Sequence, residues 1–349
     1  MICALIMAGG RGTRFWPLST EDKPKQFLNL IDNRTMIQMT VDRIINDIPA
    51  ERIFVCTGER YVSLVRQQLP ELPERNIIVE PEGRNTAPCI ALSALVISRY
   101  FKDAKMVVLP ADHLIQDEEQ FRDIIKEAGR FLDDNNQAIV TLGMQPNRPE
   151  TGYGYIKKGD SKFNATNHSI VKVDAFVEKP KLDLAKKYLE SGSYLWNGGI
   201  FMWTVKSILE KIREYLPATY NALENIQSIS EEKLQDEINN SYKNTEKISV
   251  DYGILEKSRD IYVIPSDIGW DDVGSFEAIE RYKNKDKNGN IHMGNIKTIN
   301  CSENLIISTS NEVIIDSLSD IYVIENDGKI IIGKKSNVDK IKELDKVIR

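Results

Sequence analysis

The sequence predicts an α/β protein: a mixed, mostly parallel sheet covered by helices on both faces, followed by a small β domain. Three observations carry this expectation. Strand-like and helix-like segments alternate through the first 200 residues. The strands are continuous apolar runs, as expected of strands buried on both faces. Beyond Lys283 the chain changes to short Ile- and Val-rich segments parted by Asn, Asp, Ser and Gly, which suits a small, β-helix-like coil.

Taken in order, residues 2–8 read as a buried strand and 36–46 as a helix whose apolar face is Met36, Ile37, Val41, Ile44 and Ile45. A strand is expected at 52–57, a helix at 61–69 and a short strand at 76–79. Residues 87–100 carry an Ala/Leu/Ile face and read as a strong helix. A buried strand at 105–109 ends in Pro110-Ala111-Asp112-His113, and an amphipathic helix at 120–133 leads to a strand at 138–142. Residues 152–156 and 171–177 read as strands of an insertion, and helices at 182–191 and 205–216 bracket a strand at 199–203. The polar stretch 228–246 reads as an exposed helix and loop, and 261–265 as a strand. Residues 283–290 form a charged, glycine-containing linker, so a catalytic domain is expected over 1–285 and a small β domain over 286–349. Strands are expected at 304–308, 312–316, 321–325 and 329–333, with a terminal helix at 337–347.

The composition sets bounds. With 41% hydrophobic and 28% charged residues the chain is ordinary for a water-soluble globular protein, and its net charge of −6 argues against a nucleic-acid partner held by a global basic field. No apolar run approaches a membrane span, and because Met1-Ile2-Cys3 reads as the start of the first strand, no signal peptide is expected. The four cysteines (Cys3, Cys56, Cys89, Cys301) are far apart and lie in apolar or small-residue stretches. They read as buried free thiols, and the expected setting is the cytoplasm.

The chemistry concentrates after the first strand, in Gly9-Gly10-Arg11-Gly12-Thr13-Arg14 and the Lys23-Pro24-Lys25 cluster. Glycines after a strand let backbone N–H groups approach an anion, and nearby cations neutralise it. The Walker spacing is absent, and Phe15 stands where a dinucleotide fingerprint needs its third glycine. A polyphosphate loop of another kind, or a tight βα turn, remains. Asp112, just past a buried strand, reads as a Mg²⁺ ligand or as the cap of the next helix. Asp271-Asp272 in the Trp270–Gly274 segment offers a second carboxylate, or a helix N-cap. Glu178-Lys179 sets a hydroxyl-binding acid beside a cation. Asn85-Thr86 reads as a base or ribose contact or as a cap, and Trp196-Asn197-Gly198 as a sugar platform or a buried Trp beside a turn.

The ordered blocks AGGRGTRFWPLS with KPKQF, EPEGRNTAP, LPADH, TGYGYI, FVEKP, LWNGGIF, DYGILEK and GWDDVGSF resemble those of the sugar-1-phosphate nucleotidyltransferases over residues 1–285, most closely the GTP-dependent branch acting on mannose 1-phosphate. The resemblance implies a Rossmann-like GT-A nucleotidyltransferase domain and a C-terminal β-helix-like domain. It implies GTP and mannose 1-phosphate as substrates, Mg²⁺ as cofactor, and GDP-mannose and diphosphate as products. It assigns Ala8, Gly9, Gly10, Gly12, Thr13, Arg14, Asn85, Thr86 and Asp112 to the nucleotide. Gly152, Glu178, Lys179, Asn197 and Gly198 go to the sugar phosphate, and Asp112 and Asp272 to the metal. The resemblance makes Arg14, Lys23 and Lys179 the expected catalytic cations. Many relatives carry Ser where Gly198 stands, which limits that position to a backbone contact. Another sugar 1-phosphate, such as a heptose or glucose phosphate, or another nucleotide remains the alternative. A homodimer through the β domain is consistent with the pattern, and the cupin-like isomerase domain of bifunctional relatives is not expected among these 349 residues.

Overall fold

A computed structural model describes residues 1–10, 12–164 and 168–348, without the side chains of Thr13, Asn164 and residues 345–348. Arg11 and the Thr13 side chain, both expected in the phosphate loop, therefore lie outside the described residues. The chain divides into two compact units: Met1–Gly9 with Gln38–Trp270, and Gly10–Ile37 with Asp271–Arg349.

The first unit is built on a nine-stranded sheet. Its strands are β1 (Ile2–Met7), β2 (Ile53–Gly58), β3 (Ile77–Glu80), β4 (Lys105–Pro110), β5 (Ile139–Met144), β6 (Tyr155–Asn164), β7 (Ser169–Val177), β8 (Tyr194–Thr204) and β9 (Ile261–Ser266), in the spatial order β3-β2-β1-β4-β8-β5-β9-β7-β6. Strands β7 and β8 run against the other seven, so the sheet is mixed and mostly parallel, as expected. β1 to β5 are apolar and almost wholly buried because helices cover them.

The helices of the sequence are α1 (Met36–Asp42), α2 (Val62–Gln68), α3 (Thr86–Tyr100), α4 (Glu118–Asp134), α5 (Leu182–Ser191), α6 (Val205–Tyr215), α7 (Pro217–Leu223), α8 (Leu234–Ser241) and α9 (Val250–Gly253). α3 is buried along most of its length, its Ala/Leu/Ile surface joining Phe54, Trp203, Ile208 and Leu223 in one core. α4 buries Phe121, Ile124, Ile125, Ala128 and Leu132, a single helical face.

Three expectations change. The helix expected over 36–46 ends at Asp42, where the backbone tightens to an Ile44 N–H bond onto the Val41 carbonyl. The strand expected at 199–203 extends back to Tyr194, because β5 and β6 both pair with that earlier part. The stretch 228–246 is not simply an exposed helix and loop: Ile238 and Tyr242 are buried in the core, and Tyr242 reaches the end of β3.

The second unit holds α10 (Phe276–Tyr282), the strands β10 (Ile291–Met293), β11 (Ile296–Ile299), β12 (Leu305–Ser308), β13 (Val313–Asp316), β14 (Ile321–Asn326) and β15 (Lys329–Lys334), and α11 (Ile341–Ile348). β10, β12 and β14 stack in parallel, as do β11 and β13, and β15 closes the larger sheet antiparallel to β14. This is a short parallel β coil. Buried asparagines hold its rungs: Asn290 Oδ1 accepts from Asn304 N at 3.1 Å, and Asn304 Oδ1 from Ile321 N at 3.0 Å. The corners repeat as well, with positive φ at Asn300 and Glu303 and again at Ser317 and Asp320.

Glu325 is enclosed in this unit, with 0% exposure. Its carboxylate accepts from the Ser308 hydroxyl at 2.7 Å, the Ser310 amide at 3.1 Å and hydroxyl at 2.8 Å, and Asn311 Nδ2 at 2.8 Å. Burial pushes such a carboxyl up, but these donors outweigh it and hold Glu325 down at about 2.

Candidate active site

In the first unit the geometry of a parallel sheet puts loops at the carboxyl ends of β1, β3 and β4, where ligands of such sheets bind. Leaving β1, the chain reaches Gly9, where any Cβ would run into the Glu80 carboxylate. Glu80 is 5% exposed at the end of β3 and accepts from the Tyr242 hydroxyl at 2.7 Å. Burial pushes Glu80 up against the opposing pull of Tyr242. Cys56 and Cys89 lie beside it, and the Cys89 thiol's hydrogen bond to Cys56, with burial, pushes that thiol up too.

Asp112 follows β4, with its side chain 34% exposed. It does not cap the next helix. That role belongs to Asp117, whose carboxylate accepts from Gln120 N at 2.9 Å. His113 Nδ1 accepts from the Trp270 indole at 3.1 Å, so a neutral His113 carries its proton on Nε2, 4.0 Å from Asp112 Oδ1. Arg43, 2% exposed, donates to the His113 carbonyl at 3.3 Å and pairs with Glu118 at 3.6 Å. Burial lowers that guanidinium to about 10. The loop carrying Asp112 is thus held from below by a buried cation.

Asn85 and Thr86 are engaged with the backbone. Asn85, at φ 72°, accepts from Thr86 N at 2.9 Å and caps α3. Thr86 Oγ1 accepts from Val250 N at 2.8 Å, and Arg84 donates to the Thr245 carbonyl at 2.6 Å. These bonds weld the start of α3 to residues 245–250: Asn85 caps α3, and Thr86 ties it to Val250.

Beyond β7, Lys179 (φ 44°) pairs with Glu178 at 2.9 Å. Asn197 Oδ1 accepts from Gly199 N at 3.1 Å, and its Nδ2 donates to Asp251 Oδ1 at 2.9 Å. Gly152 N donates to Glu150 Oε1 at 2.9 Å. A Cβ on Gly198 would meet Met144 at 2.7 Å and Trp270 at 3.6 Å, so a side chain at that position requires Met144 to move. Trp196 is no open platform: it is 3% exposed, packed edge-on against Tyr153 at 5.3 Å and covered by Arg148 at 5.0 Å. Tyr153 in turn meets Trp270 at 5.2 Å.

In the second unit, Gly12 has φ 44°, and a Cβ there would stand 2.7 Å from Lys25 N. Both conditions demand glycine. Gln26 Nε2 donates to the Gly10 carbonyl at 2.9 Å, tying the loop to its basic tail. Lys25 is buried and donates to the Asp272 carbonyl. Arg14 and Lys23 are exposed. Asp272 Oδ2 and Arg14 Nη1 flank Gly274, at 2.9 and 3.1 Å from where its Cβ would be. The two acids of the turn divide: Asp271, 3% exposed, accepts from Val273 N at 2.7 Å, Arg281 at 2.7 Å and the Tyr282 hydroxyl at 3.1 Å. Neither caps α10, whose first amide, Phe276 N, donates to Asp339 at 2.9 Å. Val273 is held at φ 45°, a strained value for a β-branched residue.

Sequence periodicity does not separate Lys25, Gln26 and Asp251 from their neighbours, although each lies within a motif legible as a block. Their roles depend on contacts that only the fold creates.

A sheet of this topology with a Gly-rich loop after its first strand defines a nucleotide-handling α/β enzyme. The model of the nucleotidyl transferase family matches residues 3–289, and the chain belongs to that family. The mannose-1-phosphate guanylyltransferase of Salmonella montevideo is 36% identical to it over 99% of this chain and 73% of its own length. Mannose-1-phosphate guanylyltransferase 2 of Escherichia coli O157:H7 is 37% identical over 100% and 73%. Among solved structures, one from Thermus thermophilus described as a mannose-1-phosphate geranyltransferase superposes with a TM-score of 0.85 at 29% identity, covering 99% of both chains.

Proposed function

We propose that the chain is a mannose-1-phosphate guanylyltransferase, converting GTP and mannose 1-phosphate to GDP-mannose and diphosphate. The observation that carries this reading is the similarity, at 36% and 37% identity over nearly all of this chain and 73% of theirs, to two enzymes of that activity. An oxygen of the sugar phosphate attacks the α-phosphorus in line. The bond from that phosphorus to the bridging oxygen breaks, and diphosphate leaves.

The acceptor phosphate is already an anionic nucleophile at neutral pH, so the protein's task is positioning and charge neutralisation. The Gly-rich loop presents backbone N–H groups to the triphosphate, and Arg14 and Lys23 offset its charge. Lys179 holds the sugar phosphate, while Glu178 and Asn197 accept and donate to ring hydroxyls. Asp112 and Asp272 suit a hard divalent cation, since each is a partly exposed carboxylate with no helix-capping duty. Bound Mg²⁺ supplies charge stabilisation to the reacting phosphates.

Among the described residues no helix is long and apolar enough to cross a membrane, and the four cysteines are buried free thiols, which supports a cytoplasmic setting. A homodimer through the β unit is also part of this reading. β15 is a sheet edge that exposes Ile330 and Ile332, and sedimentation of the purified chain as a monomer would remove the dimer.

The test is diphosphate release across a panel of nucleotides and sugar 1-phosphates. Turnover with GTP and mannose 1-phosphate but not with UTP and glucose 1-phosphate is expected. Preference for another pair would overturn the assignment of substrate while keeping the reaction.

A further inference from the structure

Asp251 lies in the four-residue helix α9 and does not cap it, for Ser249 is the N-cap and accepts from Tyr252 N at 3.4 Å. Its Oδ1 instead takes the Asn197 Nδ2 donor at 2.9 Å. Because the Asn197 oxygen accepts from Gly199 N, the amide orientation is settled by its own hydrogen bonds and the NH₂ end must face Asp251. Asn197 and the backbone amide of Asp251 itself both donate to this carboxylate, whose two oxygens offer about four lone-pair sites and so keep acceptor capacity.

Glu178 approaches the same place. A Cβ on Gly154 would stand 2.6 Å from Glu178 Oε2 and 3.4 Å from Asn197 Cβ, so acid and amide flank one glycine. Burial pushes the Asp251 carboxyl up, Glu178 pushes it further, and its own backbone amide, the Asn197 amide and Lys179 pull it back. Each acid already takes one protein donor, Glu178 from Lys179 at 2.9 Å and Asp251 from Asn197 at 2.9 Å, and an ionised carboxylate has lone pairs for more. Neither holds a helix end. The bond from Val250 N to Thr86 Oγ1 fixes the residue before Asp251 to the start of α3, so Asp251 is also set from its backbone side. Acceptors gathered around an oriented amide match the vicinal hydroxyls of a hexose, each of which is a donor.

We propose that Asp251 is a sugar-recognition residue, its carboxylate oriented by Asn197 and set beside Glu178 to accept hydrogen bonds from ring hydroxyls of the sugar 1-phosphate. This rests on the reading of Glu178 and Asn197 as sugar-binding residues given above.

Asp251→Asn and Asp251→Ala are compared with wild type on whichever nucleotide and sugar 1-phosphate the wild type turns over best, with thermal melting as the folding check. KM for the sugar 1-phosphate should rise about tenfold or more, the scale of one hydrogen bond to a charged group, while KM for the nucleotide stays within about twofold. Deoxy-sugar 1-phosphates, each lacking one ring hydroxyl, give the readout that a structural role would not move. At one ring position the wild-type penalty should collapse in Asp251→Ala. Should that variant not fold, the isosteric Asp251→Asn carries the same comparison. Unchanged sugar KM, equal rises in both KM values, or deoxy penalties identical to wild type at every position would overturn the assignment of Asp251 and leave the transferase reading intact. No turnover by wild type with any sugar 1-phosphate would overturn the transferase reading itself.

Discussion

Asp271 and Asp272 are neighbours in the chain and meet opposite surroundings. Asp271 is buried among Val273 N, Arg281 and Tyr282, and Asp272 stands partly exposed beside Arg14. Asp271→Asn should therefore lower stability by about 2 kcal/mol, the scale of a buried hydrogen bond to a charged group, read as a fall in melting temperature. Asp272→Asn should leave melting unchanged and remove most Mg²⁺-dependent turnover, and so should Asp112→Ala. A normal metal titration in either would rule out its ligand role. Arg14→Ala and Lys23→Ala should each cut kcat by about a hundredfold without loss of stability, since both side chains are exposed. Wild-type turnover in both would remove the loop from the site. Glu80 gives a pH signature. Its carboxyl is raised by burial, so the folded state holds that proton more tightly than the unfolded chain. The stabilisation is complete below the ordinary value of about 4.3 and is lost as pH rises through the raised value. Glu80→Gln should flatten this part of the stability profile, measured by denaturant melts across pH.

At the scale of elements, the β coil rests on repeated corners and on Glu325. Turning that carboxylate into an amide replaces one of the two oxygens that Ser308, Ser310 and Asn311 share with an NH₂ donor facing them. Glu325→Gln should destabilise the coil by about 1–3 kcal/mol. Because Glu325 is held down at about 2, its contribution is present above the usual carboxylate range and is lost as pH falls toward that value, the opposite sign to Glu80. A variant with the wild-type acid-unfolding midpoint would refute this. Gly12→Ala should cost the loop its shape, with about 1–2 kcal/mol of left-handed strain added to a clash at Lys25 N, and activity should fall with it. The alternating elements and the coil were legible because apolar runs and Ile/Val spacing report burial directly. The division between Asp271 and Asp272, the inward turn of Tyr242 and the capping of α4 by Asp117 were not. Each depends on which side chain a distant backbone group meets, and the residue types are the same under either outcome.

For the whole molecule, the acceptor phosphate supplies the nucleophile, so no covalent nucleotidyl-enzyme is required. Initial rates should give intersecting lines when both substrates are varied. Labelled diphosphate should not exchange into GTP unless the sugar phosphate is present, and exchange without it would require an enzyme nucleophile. The family and the reaction class were readable from eight ordered blocks. The chemistry of the sugar was less so, because Asp251 lies far in sequence from Glu178 and Asn197, and only the fold brings the three together.

The buried thiols have a practical consequence. Cys3, Cys56 and Cys89 lie in the first unit and Cys301 in the second, all of them enclosed and unpaired by disulfides. A thiol reagent in the surrounding solution meets none of them until the structure around it opens. The rate at which each acquires a label, read by mass spectrometry, therefore times the opening of its own unit. The unmodified enzyme thus carries a clock in each unit, and a ligand that slows one more than the other would reveal which unit it grips.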